Sequence, residues 1–137
     1  MLPLINIGLR AARIASEQLI RSMERLDVIH EEGQELEAHL LKQFEGAERT
    51  IAYEIHKAHP EQGIIGAVAG EMNPPAEPPS KIWHISAIDG LDQYAHSLPM
   101  FTLTMVCYEE GKLAHSIIIC PSSGEEFCAS KGRGAQL

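Results

Sequence analysis

The chain has 137 residues, of which 45% are hydrophobic and 22% charged, a composition that predicts one globular domain over residues 1–137. The formal net charge of −8 disfavours direct contact with nucleic acid or with an anionic membrane, because the phosphate groups of either would be repelled. Three cysteines without metal-binding spacing predict reduced thiols and a cytoplasmic protein, and Arg10 and Arg13 interrupt the first apolar stretch, which argues against a signal peptide or a membrane span.

Two amphipathic helices are predicted at the start of the chain, over about residues 2–24 and 31–58. Each segment repeats apolar residues at the spacing of one helix face, with charged residues between them. The second segment has glutamates in its first turn and basic residues in its last turn, which is the arrangement that the helix dipole favours. Pro60 follows it as a stop signal.

The pattern changes to strands after Pro60. Residues 63–70 are a short apolar run between glycines, which predicts one buried strand, and a proline-rich surface loop follows at 73–80. Further strands are predicted at residues 82–88, 101–108, 113–120 and 126–130, the last three joined by short turns. The whole pattern predicts an α+β fold, in which two long helices pack on an antiparallel β-sheet formed by about residues 63–131.

Six segments of the chain carry a resemblance to one family, and the most specific reads Trp83-His84-Ile85-Ser86-Ala87-Ile88-Asp89-Gly90. The other five are residues 5–13, 60–66, 98–101, 125–127 and 132–137. In this order they resemble the N-terminal half of the inositol monophosphatase family, particularly its bacterial members, whose signature is Trp-x-Ile-Asp-Pro-Leu-Asp-Gly-Thr. The resemblance implies the N-terminal subdomain of that family's fold, in a chain that is degenerate and truncated to this half.

The resemblance also implies a chemistry. Family members hydrolyse small phosphate monoesters with Mg²⁺ ions, one of which activates water while the others hold the phosphate and stabilise the leaving oxygen. The metal ligands come from a Gly-Glu-Glu motif, from both aspartates of the signature, and from one aspartate in the C-terminal half. That C-terminal half covers part of the N-terminal sheet in the family.

Most of the ligand positions of the family are substituted here. The two glutamates fall on Ala67 and Val68 and the first aspartate falls on Ser86, so that Asp89 is the one metal ligand of the signature that remains. One carboxylate gives a hard dication too few anionic oxygens. We therefore expect a pseudoenzyme with no catalytic, cofactor-binding or metal-binding residues and no cofactor, in which Asp89 and Glu71 are vestigial candidates.

Other residues near the signature have ordinary structural explanations. Asp89-Gly90 is a common turn pair, and Asp92 would compete with a phosphate for the amides that follow the turn. His84 and His96 flank the turn without the spacing of a transition-metal site, so we expect them to be ordinary polar residues.

The apolar patterns of the core are kept although the ligands are lost, which favours a function through protein contacts. We expect a non-catalytic structural or regulatory subunit that binds a protein partner or forms a homo-oligomer, because an uncovered sheet is a common association surface. The alternative is a residual or partner-completed Mg²⁺-dependent phosphatase that acts on inositol monophosphate or a similar small phosphate monoester.

Overall fold

The computed structural model describes residues 3–24, 33–89, 102–132 and 134–136. Two helices come first, α1 (Pro3–Glu24) and α2 (Gly33–Ala58). Seven strands follow, β1 (Gly63–Gly66), β2 (Gly70–Glu71), β3 (Lys81–Asp89), β4 (Thr102–Glu109), β5 (Lys112–Cys120), β6 (Glu125–Ser130) and β7 (Gly134–Gln136). The predicted α+β fold with two long helices is confirmed, whereas the assignment of residues 1–137 to one domain stays a prediction.

The strands form one sheet in the order β2-β1-β3-β4-β5-β6-β7. The strands from β3 to β7 are antiparallel neighbours, as predicted, but β1 runs parallel to β3, with Ile64 opposite Trp83. The prediction of one strand over residues 63–70 was wrong, because the chain turns at residues 67–69 and returns as β2. Gly70 allows this return, since its φ of 71° lies in the left-handed region.

Both helices pack on the same face of the sheet and form the core with it. Alternate residues of β4, namely Leu103, Met105 and Cys107, are fully buried against the helices, as the period of two in a strand requires. Trp83 of β3 is also fully buried, and its indole N–H donates a hydrogen bond of 2.7 Å to Gln62 Oε1. Among the described residues, neither helix is long and apolar enough to cross a membrane.

The opposite face of the sheet is not covered by α1 or α2. The register places two rows of side chains across it, Ser86, Thr104, Ile118 and Phe127 in one and His84, Val106, Ser116 and Ala129 in the next. We call these eight residues the open face. Ile118 and Phe127 are large apolar side chains that remain 38% and 40% exposed, so this face offers apolar surface for contact.

Candidate functional site

A groove of about 380 Å³ lies on the open face, where β1, β3 and β4 meet. Its lining residues are Ile65, Gly66, Ala67, His84, Ile85, Ser86, Thr104 and Val106. The groove therefore brings together Ala67 and Ser86, two of the positions where the resemblance places metal ligands. The Ala67 amide donates a hydrogen bond of 2.9 Å to the Ile85 carbonyl, which fixes the turn after β1 beside β3.

Glu48 of α2 holds this turn from the helix side. One carboxylate oxygen, Oε1, accepts hydrogen bonds from the Val68 amide at 3.0 Å and the Ala69 amide at 2.8 Å, and Oε2 lies 3.2 Å from the Val68 amide. The residue is only 1% exposed. A buried carboxylate needs such donors, because its desolvation would otherwise be very costly.

The close approach of Glu48 explains why Gly66 ends β1. A Cβ atom built at Gly66 would overlap the Glu48 carboxylate, with Cδ 2.8 Å away, and would crowd Met72 Cε at 3.2 Å. The glycine is thus required for space, because any side chain at this position would meet the carboxylate that accepts hydrogen bonds from Val68 and Ala69.

Sequence reasoning missed Glu48, although the chain contains a signal for it. The residue lies within the apolar face of α2, between the buried Phe44, Ala47, Ile51 and Ala52. A glutamate at a core-facing position of an amphipathic helix is rarely buried without a partner. Its partners, the amides of residues 68 and 69, lie about twenty residues later and could not be identified from helical spacing.

The vestigial candidates are placed separately. Glu71 lies on β2 opposite Ile65 with an exposed side chain, and it does not line the groove. The backbone of Asp89 pairs with Thr102 beyond a register shift in β3, while its side chain, and all of Asp92 and His96, lie outside the described residues. The expectation of no metal-binding residues, with Asp89 and Glu71 as vestigial candidates, stays a prediction.

The described residues of the groove do not fit a magnesium ion. They contribute the hydroxyl groups of Ser86 and Thr104 but no carboxylate, and Glu48, the carboxylate beneath the turn, accepts hydrogen bonds from the turn amides instead. A hard dication prefers several anionic oxygens. Across the part of the chain that the structure describes, no group of three His, Cys, Asp or Glu side chains could hold a metal.

The remaining candidate side chains have structural surroundings. His84 is exposed on the open face, and its ring meets Tyr108 edge-on with centroids 5.4 Å apart. Burial, and to a smaller extent the negative charge of Glu109, raises the pKa of the Cys107 thiol to about 12. This thiol therefore stays protonated at neutral pH and is a poor nucleophile.

Several known proteins are similar to this chain. The Nus factor SuhB of Pseudomonas aeruginosa is 38% identical over 137 residues, which are all of this chain and 51% of the relative. The crystal structure of extragenic suppressor protein suhB from Bartonella henselae matches with a TM-score of 0.80 at 22% identity, over 98% of this chain and 51% of that one. Inositol monophosphatase-II from Staphylococcus aureus matches with a TM-score of 0.79 at 16% identity, over 98% of this chain and 48% of that one. The chain thus spans about half the length of the curated relatives it matches, and the two structural matches show the shared fold.

These comparisons contradict the prediction that the chain is a pseudoenzyme. The family model described as inositol monophosphatase family matches residues 1–137, and an inositol monophosphatase is among the similar structures. The prediction relied on substitutions at Ala67, Val68 and Ser86, which lie in one turn and one strand. The relatives are about twice as long as this chain. Counting the substituted ligand positions in about half of the relatives' length does not decide whether a member of the family is active. The chain belongs to the inositol monophosphatase family.

Proposed function

We propose that this protein acts as a structural or regulatory subunit through protein contacts, and that its open face binds a second copy of the chain. The observation that carries this proposal is the exposed apolar surface of Ile118 and Phe127 on a sheet face that neither helix covers. Contiguous apolar surface of this kind commonly marks an interface.

The distribution of charge supports a second copy as the occupant. The chain has 19 acidic and 11 basic residues, yet none of the eight residues of the open face is Asp, Glu, Lys or Arg. Two copies that meet through these eight residues would bury no like charges from them, although exposed Glu125 borders Phe127 on the same face of β6 and each copy carries a net charge of −8. A two-fold axis through the face would pair the same patch with itself, which is the usual geometry of a homodimer.

The relatives support a role through protein contacts. Relatives that are similar in sequence carry the name Nus factor, and we take that name as support for a role beyond catalysis alone. The free thiols of Cys107, Cys120 and Cys128 support a cytoplasmic location, since disulfides are rare there.

Light scattering coupled to size-exclusion chromatography tests the proposal. The wild-type chain is expected at twice its monomer mass of 15.1 kDa, and the double variant Ile118→Asp, Phe127→Asp at the monomer mass, because each copy would bury two unpaired carboxylates. Leu41→Asp is the matched control, since Leu41 is 45% exposed on α2, away from the open face. A wild-type monomer at every concentration, or equal dissociation by the control, would contradict a second copy as the occupant.

A partner-completed phosphatase is the second candidate, because the groove lies on the same open face. A chain that docks on this face would bring its own side chains close to Ala67 and Ser86, so any Mg²⁺ would depend on ligands from that chain; we propose no resident cofactor. Phosphate release from inositol monophosphate with Mg²⁺ tests this candidate. Turnover that is lost in Asp89→Asn and in the double variant of the open face supports it, and no release above the protein-free rate contradicts it.

A further inference from the structure

A second hollow, of about 710 Å³, lies at the other end of the sheet from the turn that Glu48 braces. It lies where β3 begins at Lys81 and β4 ends at Glu109, and Lys131 and the buried His115 also line it. Its volume is within the range of about 300–1,000 Å³ that is typical of small-molecule sites.

Positive charge is concentrated around this hollow. A smaller hollow of about 370 Å³ shares Lys81, Glu109 and Lys131 with it and adds Lys112 and Glu110. Three of the five lysines of the chain therefore line these two hollows, against two glutamates, in a protein whose net charge is −8. Such a local excess of positive charge attracts anions despite the overall negative charge.

The contacts within the hollow leave one cation available. A single oxygen of Glu109, Oε1, lies 3.8 Å from Lys81 Nζ and 3.3 Å from His115 Nε2, so one carboxylate pairs with both side chains. Lys131 forms no ion pair within the described residues, and it is exposed at the rim. Lys81 and Lys131 against Glu109 thus leave an excess of one positive charge in the larger hollow.

His115 gives the hollow a fixed floor. It is 7% exposed, and its Nδ1 lies 2.9 Å from Ser130 Oγ while Nε2 faces Glu109, so both ring nitrogens have partners. The ring orients Glu109, and Glu109 in turn holds Lys81 at the edge of the hollow. Lys81 and Lys131 are the two lysines that line this hollow.

We propose that this hollow binds a small-molecule oxyanion, a compound that carries a phosphate or a carboxylate group. The lysine ammonium groups of Lys81 and Lys131 hold the anion, and Glu109 with His115 positions Lys81. The walls of Leu4, Ala114 and Gly132 leave room for a small organic body beside the charged group. The site is separate from the open face, so it does not depend on the proposed dimer.

Nuclear magnetic resonance titration tests the site, with inorganic phosphate as one probe and acetate as the other, at ionic strength held constant with sodium chloride. We expect saturable shifts of the amide signals of Ala114 and Lys131 with at least one of the two anions, which also identifies the preferred group. Lys81→Gln and Lys131→Gln are each expected to weaken binding roughly tenfold, because each removes a charge-assisted hydrogen bond.

Lys42→Gln is the matched control, because it removes the same charge from an exposed position on α2. It is expected to leave the affinity unchanged, and circular dichroism checks that each variant is folded. The proposal is overturned if neither anion gives saturable shifts, if Lys42→Gln weakens binding as much as Lys131→Gln, or if the double variant of Lys81 and Lys131 still binds. Binding of a polyglutamate peptide without binding of either small anion would also overturn it.

Discussion

The brace beneath the turn of residues 67–69 can be tested by replacing Glu48 with Ala. The substitution removes the acceptor of two backbone amides, those of Val68 and Ala69. A hydrogen bond to a charged group contributes about 1.5–3 kcal/mol. Water that hydrates the freed amides of Val68 and Ala69 offsets part of the lost stability. We therefore expect Glu48→Ala to lower the free energy of unfolding by about 2–4 kcal/mol.

Such a loss is a large fraction of the stability of a domain, which is about 5–15 kcal/mol. Trp83, the single tryptophan, is fully buried, so its fluorescence reports global unfolding in urea. With a typical urea slope, the midpoint is expected to fall by about 1–2 M. Glu48→Gln keeps one acceptor oxygen and is expected to lose less stability than Glu48→Ala.

Glu45→Ala is the control on the same helix, because Glu45 forms only an exposed pair with Arg49 one turn away. Pairs of this kind contribute about 0.3–0.5 kcal/mol. If Glu48→Ala costs no more than Glu45→Ala, the carboxylate does not hold the turn and the reasoning is refuted. Faster hydrogen exchange at the amides of Val68 and Ala69 in Glu48→Ala would locate the effect.

Three further outcomes are expected. Gly66→Ala should destabilise the chain by about 1–3 kcal/mol in the same urea assay, because the new methyl group overlaps the Glu48 carboxylate. An unchanged urea midpoint would show instead that the site has room for the methyl group. In alkylation followed by mass spectrometry at pH 8, half-buried Cys120 should react well before Cys107, whose pKa is raised to about 12 by burial; equal rates would contradict this. The Arg13 guanidinium lowers the pKa of Glu126, so their pair should stabilise the fold at neutral pH and lose its effect, at most about 1 kcal/mol, as the pH falls through the lowered pKa; an Arg13→Met variant with unchanged acid sensitivity would disprove this.

Local periodicity was sufficient to predict much of the fold. The helical spacing of apolar residues located α1 and α2, because a helix that packs on a sheet must present one apolar side. The alternation in β4 identified Leu103, Met105 and Cys107 as core residues for the corresponding reason in strands. These patterns depend only on neighbouring residues, which is why one sequence reveals them.

Interactions between distant residues were not predictable in the same way. Parallel pairing of β1 with β3 requires the chain to cross from the end of β1 back to the start of β3. The apolar pattern of β1 does not encode which strand becomes its neighbour. Glu48 reaches a turn about twenty residues away, and the basic hollow combines Lys81, Glu109 and Lys131 from three strand ends or turns. Each site exists only after the chain has folded, so its residues appeared unrelated in the sequence.

The substituted ligand positions show how a correct local observation supported a wrong conclusion. Ala67 and Ser86, two positions where the resemblance places metal ligands, lie in one groove. The prediction about activity failed because the relatives contain roughly as much chain again as the segment that matches. Substitutions counted over about half of the relatives' length therefore do not decide whether the chain is active.

The most direct test of the proposed subunit is a distance between two copies of the chain, measured by pulsed electron paramagnetic resonance. A spin label on Ser116→Cys lies on the open face, and a label on Glu17→Cys lies on the exposed side of α1; both use a Cys120→Ala background. Sheets that meet face to face lie about 10 Å apart, so labels at Ser116→Cys should be within about 30 Å of each other. Labels at Glu17→Cys should be clearly farther apart. Absence of dipolar coupling at Ser116→Cys in a labelled chain that light scattering shows to be a dimer, or a shorter distance at Glu17→Cys, would contradict association through the open face.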